Sequence, residues 1–234
     1  MGLPAQEQYA LLTDYDTTTA YAQAFYTLFA NIRFHWEDEQ LSPEQPGTPR
    51  VHTLLITSAS AYKDQATVAA NLAIVAAQSG AETILVDANL RSPGMRQRFG
   101  LAPNAGLSDL LAEGEVTPQK ITACLQPTFV PGLRILEAGT KQSQGPALLL
   151  SPHLEEVITG IRAVLALSEK SPGIAIFHSA DALAGADAAL IGTHTEQTVL
   201  AIIMGQTTRA QARQAQEQFE QAHIKLAGVI MLHP

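Results

Sequence analysis

A single cysteine, Cys124, stands in 234 residues. An internal disulfide is therefore excluded, and so is a cysteine metal cluster; the usage fits a reducing compartment. Basic side chains are also scarce, with 14 Lys and Arg against 22 Asp and Glu and a net charge of −8. A nucleic-acid surface needs a basic stripe, so that class of partner is disfavoured. No apolar run reaches the length of a bilayer span, and the first residues carry no signal-peptide pattern. Met1 and Gly2 lack the downstream Ser or Thr of a myristoylation motif. The expectation is a cytoplasmic chain whose link to any membrane comes through a partner.

The most informative stretch is 51–80, VHTLLITSASAYKDQATVAANLAIVAAQSG. Leu54, Leu55 and Ile56 form an apolar run of strand length, closed by Thr57 and Ser58. Residues 66–78 are Ala-rich with Leu72, Ile74 and Val75, and Gly80 stands where a helix C-cap belongs. Strand, loop and helix in this order frame a phosphate-binding loop. Such a loop needs glycines so that backbone N–H groups can approach phosphate, a Lys for the outer phosphates, and a Ser or Thr hydroxyl for Mg²⁺. Residues 60–67, SAYKDQAT, contain no glycine.

The pattern ITSA…TVAANLA resembles the bacterial tyrosine kinases (BY-kinases) of capsule and exopolysaccharide systems, which read like VTSAxPGEGKSTVAANLA. In that alignment the two loop glycines fall on Tyr62 and Asp64, the lysine on Gln65 and the Mg²⁺-binding serine on Ala66. Thr67 is retained, and Lys63 is a lysine displaced by two positions. Further blocks carry the likeness along residues 20–232. AQAFYTLFANIRF resembles the family's first helix, whose ExxRxxR ring contact falls on Gln23, Tyr26 and Phe29. These three are read either as an altered, more apolar interface or as one face of a core-packed helix. Residues 87–91, DANLR, resemble DxDxR, with Asn89 at the second acidic position. RQRFGLAPNAGLSDLLAEGE resembles RLFGLPNEPGLSDLLAGE and reads as scaffold, with Ser108 as the N-cap of a short helix. FHSADA takes the place of a run ending IDTPP, so His178 replaces the carboxylate that supports Mg²⁺ in the family. A neutral imidazole is a poor stand-in there, and His178 reads as a satisfied core histidine. Asp187 matches a helix start and reads as structural. Leu232 falls where the family carries its adenine-reading Asn, and no C-terminal tyrosine cluster follows.

Strands alternating with helices predict a doubly wound, mostly parallel α/β sheet flanked by helices. The resemblance implies that this is a P-loop NTPase fold like that of MinD and ParA. Residues 1–19 read as a polar arm, 20–234 as one domain, and 37–49 as a surface loop. Each lost hydrogen bond to a charged group costs about 1.5–3 kcal/mol. Two or three such losses weaken ATP binding roughly a thousandfold. The expectation is a pseudokinase with no catalytic residues, Asp87, Asn89 and His178 being remnants, and with no cofactor or metal. It would serve exopolysaccharide or capsule export by binding the cytoplasmic part of a chain-length-determinant copolymerase or an active kinase paralogue. The alternative is a residual ATPase or tyrosine autokinase that uses ATP and Mg²⁺ through the altered loop, with Tyr9, Tyr15, Tyr21 or Tyr26 as acceptor.

Overall fold

The computed structural model describes residues 11–14, 16–38, 50–62, 65–168 and 173–233. Among these residues seven strands form one sheet in the order β3-β4-β2-β5-β1-β6-β7. They are β1 (Val51–Ser58), β2 (Glu82–Asp87), β3 (Leu125–Pro127), β4 (Leu133–Leu136), β5 (Gly173–His178), β6 (Gln197–Ile203) and β7 (Leu226–Leu232). Only β3 runs antiparallel, at one edge. The doubly wound parallel sheet expected from the alternation is thus observed. β3 was not foreseen because three residues, LQP, give no periodicity to read.

Two apolar layers cover the sheet. Helices α1 (Ala20–Asp38) and α2 (Gln65–Gln78) lie over one face, with Phe25, Phe29, Ile32, Leu72 and Ile74 packed against Leu54, Ile56, Leu85 and Ile176. The other face carries α4 (Leu107–Ala112), α5 (Pro118–Cys124), α6 (His153–Ala166), α7 (Asp187–Gly192) and α8 (Arg209–Gln221), packed on Leu55, Val86 and Phe177. The short α3 (Met95–Phe99) follows β2. β1 is buried along almost its whole length, which is why LLITS carries no polar alternation. α2 is buried on all sides from Gln65 to Ala77. Its alanines let it fit beneath α1, and Gly80, at φ +93°, ends it in the left-handed region that glycine enters without strain.

Several expectations are corrected here. Leu11 and Leu12 are buried in the α1–α2 layer, and the Leu12 amide donates to Asn71 Oδ1 at 2.8 Å. The core therefore reaches into the stretch read as a polar arm. Phe29 is 4 % exposed and points into that same core, so it leaves the interface set. Gln23 stays on the surface and donates to the Thr17 carbonyl, while Tyr26 donates from its hydroxyl to Gln78. Ser108 is not the N-cap of α4; Gly106 is, and Ser108 Oγ accepts from the Lys141 amide. Most of the 37–49 loop, together with Tyr9, Tyr15, Lys63 and Asp64, lies outside the described residues.

Candidate functional site

In a parallel sheet, side chains at matched register on neighbouring strands lie side by side on one face. β2 and β5 pair in register with Asp87 opposite His178, each the last residue of its strand. Both therefore emerge together at the C-terminal edge, on the α2 side. Ligands of open α/β sheets bind outside that edge. Here a cavity of about 450 Å³ opens, bordered by Tyr62, Gln65, Asn89, Arg91, Arg98 and His178, among others.

His178 Nδ1 lies 3.2 Å from Asp87 Oδ1, and both side chains are 1 % exposed. An ionised carboxylate only accepts, so the Asp87 pairing puts a proton on Nδ1. The other Asp87 oxygen accepts from the Gly94 and Met95 amides at 2.8 and 2.9 Å and so caps the start of α3. Asp87 is thus committed on both oxygens. His178 Nε2 is buried with no hydrogen-bond partner among the described residues. The reading of His178 as a satisfied core histidine is corrected: one ring nitrogen is satisfied and the other is not.

The loop is closed from within. Gln65, at the position where the resemblance puts lysine, turns its amide inward. Its Oε1 accepts from Ser58 Oγ at 3.0 Å, and its Nε2 donates to the Ser179 carbonyl at 2.9 Å. Ser58 Oγ sits near the Ser60 carbonyl, and Ser60 Oγ meets Thr207 Oγ1 at 3.0 Å. Ala66 is buried and brings no hydroxyl. Thr67, the retained member, accepts from Arg98 Nε at 3.2 Å. Asn89 Oδ1 accepts from the Ser92 amide.

Two features were missed in the sequence. Arg91 makes a two-pronged contact with Asp187, Nε to Oδ2 at 2.8 Å and Nη2 to Oδ1 at 3.0 Å, which raises the guanidinium pKa further. The contact ties the segment after β2 to the start of α7. Both residues were visible as matches to family blocks, yet nothing in the sequence pairs positions 91 and 187. Asp181 also borders the cavity, and burial pushes its carboxyl above the usual range. Among the described residues no cluster of three or more His, Cys, Asp or Glu side chains could hold a metal. No helix among them is long and apolar enough to cross a membrane.

No family model matches the chain. Individual proteins do. The chain is 30 % identical over 210 residues to "Tyrosine-protein kinase YwqD" of Bacillus subtilis (strain 168), covering 90 % of this chain and 80 % of that protein. The chain belongs to the bacterial tyrosine-protein kinase family. It is also 27 % identical to "Tyrosine-protein kinase wzc" of Salmonella typhi, and 29 % identical to a "Putative tyrosine-protein kinase in cps region" of Klebsiella pneumoniae. These cover 77 % and 78 % of this chain, which spans about a quarter (24 %) of each of those two proteins. Among solved structures, the chimerical protein CapA2B2 superposes with a TM-score of 0.77 at 22 % identity, over 94 % of this chain and 88 % of that one. The kinase domain of Escherichia coli tyrosine kinase ETK gives 0.72 at 21 %, over 89 % and 75 %. The likeness extends to MinD of Pyrococcus horikoshii OT3, solved with Mg-ADP, at 0.58 and 19 %, over 77 % and 70 %. The sheet is thus that of the MinD-like P-loop proteins, as expected.

The expectation of no cofactor is corrected by these neighbours. MinD carries Mg-ADP on this fold, and cobyrinic acid a,c-diamide synthase of Mycobacterium smegmatis was solved with ADP and magnesium. The side chains at this cavity still fit Mg²⁺ poorly. That ion demands near-octahedral oxygen ligation, while both Asp87 oxygens are engaged, position 66 has no hydroxyl, and the free atom is a nitrogen.

Proposed function

We propose that this chain is a regulatory, nucleotide-binding relative of the tyrosine kinases in a capsule or exopolysaccharide system. Its phosphoryl transfer is much slower than in a member with a complete loop. The observation that carries this is Gln65, whose amide is spent on Ser58 and Ser179 where a kinase needs a lysine facing phosphate. The chain's own residues can still frame a nucleotide: the N-terminal turn of α2 faces the cavity through Gln65 and Ala66, and Arg91 and Arg98 border it. Electrostatic stabilisation of a transferring phosphoryl group needs charge aimed at it, and Arg91 is already engaged by Asp187.

The proposal takes the chain as one cytoplasmic kinase-like domain whose core includes Leu11 and Leu12. Its partner is the cytoplasmic part of a polysaccharide copolymerase or an active paralogue. The names of the relatives favour a second reading, a residual ATPase or tyrosine autokinase working through the altered loop. Incubation with labelled ATP and a divalent cation, read by phosphotyrosine blotting and ADP release, separates the two. ADP binding in a calorimeter with no turnover above background is the expected result. Turnover that falls on changing Asp87 to Ala would establish the second reading instead.

A further inference from the structure

Among the described residues the sheet has two edges, and they are finished differently. β3 closes one edge with three residues, LQP, and its Pro127 has no amide to donate. β7 forms the other edge with seven residues, LAGVIML, that include no charge and no proline. Folded proteins blunt exposed edges with short strands, charges or prolines, and a long apolar edge is a template for another strand. One register irregularity falls at the start of β7, and residues 228–232 pair regularly with β6. The Met204 amide donates to the Leu232 carbonyl, so Leu232 and Ile230 turn their backbone groups toward β6. The amides and carbonyls of Val229 and Met231 therefore point out of the edge. Ile230 and Leu232 pack on the α1–α2 layer. Val229 and Met231 stand on the other face, in register with Leu200 and Ile202, and α8 leaves them 48 % and 63 % exposed.

The charges of α8 indicate what covers them. Gln218 donates to the Gly185 carbonyl just before α7, which sets that side of the helix toward α7. Arg209, Arg213 and Glu220 lie at helical spacing on the opposite side, toward the β7 edge, with Glu217 beside them; all four are exposed. The two basic residues sit in the first half of α8 and the two acidic ones in the second, so the stripe is complementary to its own antiparallel copy. α8 spans about 20 Å and β7 about 23 Å, which sets their central residues, Ala215 and Val229, level with one another. A two-fold axis through Val229, normal to the sheet, runs β7 antiparallel to its copy and α8 antiparallel to the second α8. Arg213 then faces the partner's Glu217, and Arg209 faces the partner's Glu220. Val229 and Met231 are covered between the two helices.

We propose that β7 is a dimer interface: two copies of this chain join edge to edge through Val229 and Met231 into one continuous sheet, with their α8 helices side by side. Such a contact is isologous, so it closes at two copies and does not grow into a fibre. A strand from another protein could use the same edge, but it would give the α8 charges no counterpart.

The test is sedimentation equilibrium of the full chain without nucleotide, at loadings from about 1 to 100 μM. A monomer–dimer equilibrium that weakens with added salt is expected. Hydrogen exchange at the Val229 and Met231 amides should slow as the chain is concentrated. Met231→Lys puts a charge on an already exposed edge position and should weaken the dimer by at least about tenfold. Arg213→Glu and Glu217→Arg should each weaken it, and the double exchange should restore most of the loss. A wild type that stays monomeric at every loading would overturn the proposal and leave the edge to a strand from another protein; that measurement needs no variant to fold. A dimer indifferent to Met231→Lys would overturn it too, and would place the contact elsewhere, as on α1. Failure of the double exchange to rescue either single change would sink the two-fold arrangement of the α8 helices.

Discussion

Two buried polar corners stand at the C-terminal edge of the same sheet and are built differently. At the corner between α4 and the end of β4, Asp109 Oδ2 accepts from the Gly106 and Thr140 amides at 2.9 and 2.8 Å, and its other oxygen accepts from the Thr140 hydroxyl. Leu107 and Ser108 donate their amides to Glu137 and Ala138, and Ser108 takes the Lys141 amide. Each of these groups has a partner inside the fold. At the cavity by Asp87, the loop is held by substitutes and one buried imidazole nitrogen is left over. A buried polar network either closes or leaves a costly orphan. The first corner has closed in support of structure. The second leaves His178 Nε2 without a partner among the described residues. An orphan of this kind costs stability, so the second corner is the less settled of the two.

The sharpest way to break the contrast is at Gly106. A Cβ there would overlap the backbone of Glu137 and Gly139. Gly106→Ala should destabilise the fold by about 3 kcal/mol, read as the midpoint of urea unfolding. A loss below 1 kcal/mol would show the corner to be looser than its hydrogen bonds imply.

Asp109→Asn comes next, at about 2–3 kcal/mol, because a charged acceptor of three hydrogen bonds is removed. Burial pushes the Asp109 carboxyl up, but the Thr140 and Gly106 hydrogen bonds outweigh it and hold the pKa below its ordinary 3.8. A depressed folded pKa means that this contribution is present above the unfolded value and is lost as pH falls through the folded one. Wild type should therefore lose stability on acidification below about pH 4, and the variant should show a flatter slope there. Equal slopes in the two proteins would count against the assignment.

The cavity should respond in ligand binding more than in stability. Gln65→Lys with Ala66→Ser restores the phosphate-facing charge and the hydroxyl that the family pattern places there. ADP affinity should rise at least tenfold, about 1.4 kcal/mol. No gain would mean that the missing glycines of the loop, not these two side chains, limit binding. Gln65→Ala alone removes only neutral hydrogen bonds to Ser58 and Ser179 and should destabilise by about 1 kcal/mol in thermal unfolding. The smallest effect is expected at Tyr26→Phe. Its bond to Gln78 is at the surface, so stability should move by no more than about 0.5 kcal/mol. A change in self-association on the same substitution, seen by sedimentation, would revive the α1 face as an interface.

Much of the architecture was legible in the residues. Leu54–Leu55–Ile56, the alanines before Gly80, and the heptad-like spacing of Leu154, Val157, Ile158, Ile161, Val164 and Leu165 each specify their element locally, and all six of those α6 residues are buried as the spacing requires. The absence of glycine from residues 60–67 was equally plain, because it depends on residue type at adjacent positions. The cofactor was misjudged for a related reason. Counting lost side chains says nothing about what neighbours with the same sheet bind, nor about the substitutes that folding supplies.

By itself the sequence determined six of the seven strands and their alternation with helices, the family, and the absence of glycine from residues 60–67. These are set by spacing along the chain. Only the tertiary structure decided that Phe29 faces inward, that Arg91 grips Asp187, that Gln65 is turned toward Ser179, and that His178 stands beside Asp87 with one nitrogen free. Those contacts join residues 91 to 114 positions apart, or depend on which face of a helix meets the sheet. Strand register and helix rotation fix them only when distant segments pack together.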